Sequence, residues 1–337
     1  MISRKFTIWA CGLLFVFGSC AEDMVKPIEN DKDAPGTVQD VKTESLPGAV
    51  KFTYTLPSDP DLLYVLAKYT NKTGKVMEFR SSFYTNSVTV EGFGDTDTYK
   101  VELYTVDRSE NRSQPQIVEV VPLTPPILSC YESLSMVSDF GGMTFEMDNK
   151  FKSDLAIYVC TPDELGDMVL AETFYSAREE IVYSVRGYDA VPRRFGIFLQ
   201  DKYGNETDTL FTELTPIYER ELDKTKFREM YLQNDSRVDS YDGKMEYVWN
   251  GRISKDGDSG GVGLHTGTGT KDGPAVFTFD LGVLAKLSRF ALWAIQDEKH
   301  FYNDMSPRRY EVWGCATEPN PDGSWDQWVK LLDMENV

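Results

Sequence analysis

The sequence predicts an all-β chain: two tandem β-sandwiches followed by a third β-rich domain. Hydrophobic residues make up 41% of the 337 and aromatics 13%, ample for packed cores in two or three domains. Tyr and Phe stand among many Val and Thr, a mixture that suits pleated, half-buried surfaces better than helices. A repeat of one sandwich length runs through the middle of the chain, and beyond Phe227 it gives way to short apolar runs between Gly- and Asp-rich loops.

At the N-terminus Arg4 and Lys5 precede an apolar run over 6–17, too short to span a bilayer stably, and Gly18, Ser19 and Cys20 follow. That order resembles the bacterial lipobox, in which the Cys is diacylated and becomes the first residue after cleavage. The resemblance implies a lipoprotein signal peptide over 1–20 and a membrane anchor through lipid on Cys20; an ordinary secretory signal is the alternative. Residues 21–34, "AEDMVKPIENDKDA", are polar and read as a flexible tether. Acidic residues directly after the Cys resemble the surface-export signal of glycan-feeding Gram-negative bacteria, which implies an outer-membrane protein facing the exterior.

The repeat is visible at two distant landmarks. Setting Gly48 on Gly141 places Phe52 on Phe145 and Asp61-Leu62 on Asp154-Leu155, while "YTVDRSENRS" around Asp107 matches "FLQDKYGNET" around Asp201. The spacing stays near 93 residues between them, so a whole domain is duplicated; a solenoid would repeat every ~20 to 50 residues. Within a copy, short runs alternate apolar and polar residues (Val50, Phe52, Tyr54; Tyr99, Val101, Leu103), the pattern of a sandwich of about 100 residues. The Asp-x-x-x-Asn segment suits a tight turn between two late strands, because both side chains cap their own backbone; a calcium or sugar site is the functional alternative there. "VVPLTPP" at 120–126 is a stiff Pro-rich joint. The unit opening "APGTVQDVKTESLPGAVKFTYTLPSDPDLLYVLAKY" and closing "YTVDRSENRSQP" resembles the fibronectin type III-like modules that begin many glycan-locus surface lipoproteins. That resemblance implies Ig/fibronectin III-like sandwiches at 35–123 and, more divergent, 124–217.

The third stretch carries "YVWNGRISKDGDSGG", "FTFDLG", "LSRFALWA" and "RRYEVWGCATEPNPDGSWDQWVKL" in that order. The succession resembles the discoidin-like family (coagulation factor C-type, galactose-binding-like), an eight-strand jelly roll. It implies such a domain over 218–337, with "FTFDLG" and "LSRFALWA" as strands and Tyr310, Val312 and Trp328 in the core; Trp325, beside Asp322-Gly323, stays open between core and ligand platform. Family members continue some tens of residues beyond "WVKL", so the resemblance also implies a jelly roll incomplete at its C-terminus, with exposed strand edges.

Composition excludes several functions. A net charge of −19 repels a phosphate backbone, so nucleic acid is not an expected partner. Of five cysteines, Cys11 leaves with the signal and Cys20 takes lipid, leaving Cys130, Cys160 and Cys315 without a CxxC or Cys/His cluster for zinc. Cys130 and Cys160 either pair or stay as buried thiols. "GDSGG" at 257–261 matches a serine-protease nucleophile loop, but the base of that family precedes its Ser, and His265 and His300 both follow Ser259. An EF-hand from Asp256 fails at its twelfth position, Gly267, where a bidentate Glu is required. HExxH and P-loop fingerprints are absent, and no enzyme is expected.

Binding remains. Sugar sites pair aromatic faces, which cover the apolar side of a pyranose, with side chains that hydrogen-bond its hydroxyls. In discoidin-like folds these lie on loops at one barrel end, here 241–273 and 296–307, which selects Trp249, Asn250, Arg252, His265, His300 and Tyr302. Each has a bland reading too, Trp249 as core and the histidines as satisfied polar residues. By the same resemblance Asn250, Asp256 and Asp258 would hold a structural calcium. The combined expectation is a non-catalytic surface lipoprotein that captures polysaccharide or oligosaccharide beside outer-membrane glycan transporter components; the alternative is an adhesion or scaffold protein that binds another protein through the discoidin-like domain.

Overall fold

The computed structural model describes residues 31–238, 240, 242–253, 263–266, 274–293 and 306–335. Cys20 lies outside them. The chain divides into two compact units, one holding residues up to 137 with 143–185 and 192–215, the other 138–142, 186–191 and 216–337.

The first sandwich comprises β1 (Gln39–Leu46), β2 (Ala49–Thr55), β3 (Leu62–Thr70), β4 (Val76–Ser82), β5 (Ser87–Glu91), β6 (Tyr99–Asp107) and β7 (Gln116–Val120). They form a β1-β2-β5 sheet facing a β4-β3-β6-β7 sheet, antiparallel throughout. Period-two alternation buries Val50, Phe52 and Tyr54 while Lys51 and Thr53 face water, as the sequence pattern requires. Tyr69 stacks within 4.4 Å of Phe93 and sends its hydroxyl to the Glu91 carbonyl at 2.8 Å. Burial pushes that phenol well above its ordinary range.

The second copy begins with a helix that the Pro-rich joint did not announce, α1 (Pro126–Ser133). Pro126 at its first turn fits, because that position has no intrahelical N–H to lose. Ile127 and Cys130, three residues apart, turn the helix onto the core. Then come β8 (Ser135–Asp139), β9 (Gly142–Asp148), β10 (Leu155–Pro162), β11 (Met168–Ser176), β12 (Glu180–Arg186), β13 (Arg193–Asp201) and β14 (Leu210–Leu214). Their sheets, β8-β9-β12 and β11-β10-β13-β14, repeat the first sandwich strand for strand.

Duplication extends to individual hydrogen bonds. Gly48 and Gly141 both turn at positive φ, +62° and +64°, and donate to Leu123 O and Ile217 O. In the late turn Asp107 Oδ1 accepts the amides of Ser109 and Asn111, and Asp201 Oδ1 those of Tyr203 and Asn205. Each Asn amide donates back to its Asp, at 3.0 and 2.8 Å. The two turns differ in what they grip. Asn111 Nδ2 reaches the tether at Asp31 Oδ1 and Asp33 O, whereas Asn205 Nδ2 reaches Gly92 O of the preceding sandwich at 3.2 Å. Beside it the Tyr203 hydroxyl donates to the Glu91 carboxylate.

Cys130 and Cys160 are free thiols, the first buried and the second half-buried. Burial pushes the Cys130 thiol up to about 11. Folding therefore favours its protonated form, and the associated stability is intact below the unfolded value of about 9 and lost as pH rises through the folded one. The urea midpoint should fall above pH ~9, and fall less in Cys130→Ala; equal slopes would show that the thiol does not titrate with folding.

The third region contributes two ribbons, β15 (Arg228–Met230) with β16 (Thr278–Asp280), and β17 (Arg309–Gly314) with β18 (Val329–Glu335). Of "RRYEVWG" all but Arg308 is strand, and of "WVKL" all but Trp328. Of "FTFDLG" only Thr278–Asp280 does, and the run expected as the next strand has none through Trp293. Tyr310, Val312 and Trp328 are half-buried rather than fully in a core. Among the described residues no helix is long and apolar enough to cross a membrane.

Candidate functional site

The residues selected from sequence fall into three groups. Trp249 and Asn250 line a shallow groove of about 320 Å³ with Lys224, Thr225, Glu246 and Tyr247. Trp249 ends a 3-10 turn, Met245–Val248, whose Met245 is fully buried. Its ring packs on Phe227 at 5.8 Å and Phe279 at 5.2 Å, so one side is core and the rest faces the groove. The core reading of Trp249 holds for the side packed on Phe227 and Phe279. Asn250 and Arg252 are exposed, and Asn250 Oδ1 accepts the Arg252 amide at 2.8 Å. That bond fixes the turn and uses one of the two lone pairs of Asn250 Oδ1.

His265 is half-buried on a separate segment, its backbone N placed 2.9 Å from where a Cβ on Gly243 would stand. His300 and Tyr302, and the calcium candidates Asp256 and Asp258, lie outside the described residues. Elsewhere the carboxylates of Asp31, Asp61 and Asp107 come within 4.8 Å of one another. Both Asp107 oxygens already accept hydrogen bonds inside their own turn, however, so this convergence belongs to the turn. A larger groove of about 780 Å³ lies in the first unit, lined by Lys75, Asp154, Tyr175, Lys202 and Tyr203 among others.

Trp328, expected in the core, is half-buried just ahead of β18, and Trp313 and Trp325 lie beside it. Alternation puts Glu311 and Trp313 on one face of β17, and the indole donates to Glu311 Oε2 at 2.9 Å. A bulge in β18 leaves Leu331 unpaired between Lys330 and Leu332, which rotates Lys330 onto the face of Asp333. Lys330 Nζ then bonds Glu311 at 3.1 Å and Asp333 at 3.2 Å, and lies 5.7 Å from the Trp313 ring centre. Trp313 thus sits on the polar face. Trp325 crosses it edge-to-face at 4.9 Å and meets Trp328 at 6.1 Å. No residue type signals this; it depends on the register shift.

Comparison with known proteins adds identity to geometry. Three family models match in succession: Domain of unknown function (DUF4959) over 35–122, Domain of unknown function (DUF5126) over 123–225, and a domain of unknown function (DUF5000) over 249–337. A solved structure of SusE-like protein BT2857 is 99% identical over 35% of this chain and 67% of its own, with a TM-score of 0.34. The chain belongs to the SusE-like family. Its assignment rests on sequence identity, since superposition at that score carries no argument. Two fibronectin arrays align with the SusE-like chain as well. A two-domain fibronectin type III segment of chicken tenascin is 12% identical over 53% of this chain and 99% of its own (TM-score 0.26), and chicken CNTN1 FN1–FN3 is 10% identical over 54% and 67% (TM-score 0.25). The sandwich assignment stands on strand order itself. Comparison with curated proteins finds no match.

Proposed function

We propose that this SusE-like chain is a non-catalytic glycan-binding lipoprotein of the outer-membrane surface. Lipid on Cys20 anchors it, the paired sandwiches act as spacers, and the discoidin-like region over 218–337 captures polysaccharide beside glycan transporter components. Membership of the SusE-like family carries the reading. It is supported by the lipobox-like leader and by the groove beside Trp249, which joins an aromatic wall to a polar rim.

Affinity electrophoresis of the full chain through gels of soluble polysaccharides tests it. Asn250→Ala and His265→Ala are expected to weaken retention without unfolding the chain. Trp249→Ala should do so too and also cost about 2 kcal/mol of stability, less than the ~3 to 5 of a fully buried ring. No retention of the parent chain by any polysaccharide would favour a scaffold that binds protein.

A further inference from the structure

We infer that Trp313, Trp325 and Trp328 form a stacking platform for a pyranose unit of a neutral glycan, separate in sequence from the Trp249 groove. This inference rests on the glycan-binding reading and adds a site and a ligand class to it. Trp325 keeps 46% of its surface exposed, although its two indole neighbours hold the ring in place. Burying a large apolar ring is worth about 1.5–3 kcal/mol, so a fixed, half-exposed tryptophan among other tryptophans is surface presented for contact. An indole face suits the apolar C–H side of a sugar ring.

The loop that carries Trp325 is tied by hydrogen bonds of its own. Asn320 N donates to Gln327 Oε1 and Asn320 Nδ2 to Ser324 Oγ, both at 2.9 Å. Asp322 Oδ1 accepts the Ser324 amide, and Trp328 N closes on Trp325 O. Asn234 Nδ2 fastens the loop from outside by donating to Asp322 O, and Gly323 turns at φ +73° with Asn234 packed close against it. Preorganisation of this kind lowers the entropy cost of binding. Polar groups for sugar hydroxyls stand alongside in Glu311, Lys330 and Asp333, which share the face of Trp313.

Charge decides the class of glycan. Across the hairpin, 308–335, the acids Glu311, Glu318, Asp322, Asp326, Asp333 and Glu335 outnumber the bases Arg308, Arg309 and Lys330 two to one, in a chain of net charge −19. Uronate- or sulfate-bearing polymers are repelled by that field, and uncharged pyranose polymers are not.

The experiment is affinity electrophoresis of the full chain in gels of dextran, yeast α-mannan, laminarin or hydroxyethylcellulose, with polygalacturonate and heparin as charged probes. Trp325→Ala should bind a retaining neutral polymer about tenfold more weakly, and Trp325→Phe should keep part of the affinity. Trp293→Ala, which removes a still more exposed indole outside the cluster, should match the parent. Near-UV circular dichroism establishes that each variant is folded, and the Phe variant carries the comparison if the Ala variant is not. Equal retention of the parent and both Trp325 variants overturns the platform and leaves the glycan-binding reading intact. Retention by the charged probes alone overturns the neutral assignment. Absence of retention on every probe overturns platform and reading together.

Discussion

Gly92→Ala is expected to cost about 3 kcal/mol of stability, against about 1 for Gly74→Ala. The two glycines adopt nearly the same backbone, φ +84° and +83°, so the strain of placing a Cβ at positive φ is common to both. Their surroundings differ. Nothing lies within 4 Å of a Cβ at Gly74, while one at Gly92 would stand 2.8 Å from the Tyr203 ring. That ring cannot swing aside cheaply, because its hydroxyl is bonded to Glu91 and the neighbouring Asn205 is bonded to Gly92 O. The difference between the substitutions therefore measures how firmly the second sandwich is seated on the first. Urea unfolding followed by far-UV circular dichroism gives both values; equal losses would mean that the Tyr203 contact yields without cost.

Glu219→Gln should destabilise the second unit by about 1–3 kcal/mol at neutral pH. Glu219 Oε1 accepts from Ser288 Oγ at 2.6 Å and Arg289 Nε at 2.9 Å, Oε2 accepts from Arg289 at 2.8 Å, and Arg186 lies 3.5 Å away. Burial opposes ionisation of this carboxyl, but the Ser288 and Arg289 hydrogen bonds and the charges of Arg289 and Arg186 outweigh it and hold its pKa below the ordinary glutamate value. A depressed carboxyl stabilises the fold above its unfolded pKa, and that stability is lost as pH falls through the folded value. The gap between parent and variant should hence be full at pH ~7 and shrink toward pH ~3. Tryptophan fluorescence is the right probe, because every tryptophan beyond Trp9 lies at 249–328. A gap independent of pH would show that the negative charge contributes nothing.

Much of the fold was legible because it follows from local rules. Alternation at Val50, Phe52 and Tyr54 announces a half-buried strand, and the Gly48/Gly141 register with the paired Asp-x-x-x-Asn turns announces duplication; the hydrogen bonds agree at each of these positions. Helix α1 was hidden, since prolines that stiffen a joint also suit a helix start and only the burial of Ile127 and Cys130 separates the two. Site geometry was less legible. Trp249 could be chosen from its neighbours, but its division between ring cluster and groove depends on Phe227 and Phe279, distant in sequence. Lys330 comes onto the face of Trp313 because one bulge at Leu331 shifts the pairing, and a single extra residue in a strand leaves no compositional trace.

The end of the fifth strand of each sandwich has a consequence for the succession of domains. Glu91 closes β5 and Arg186 closes β12, each followed by a glycine at positive φ, Gly92 and Gly187. At the first site a carboxylate accepts a phenol from the next sandwich; at the second a guanidinium binds the acids Asp139 and Glu219. A guanidinium has no lone pair for a tyrosine hydroxyl to donate to, so Arg186 cannot take the part that Glu91 plays toward Tyr203. One charge reversal at the matching strand end thus gives the two copies different partners, a phenol for the first and a pair of carboxylates for the second.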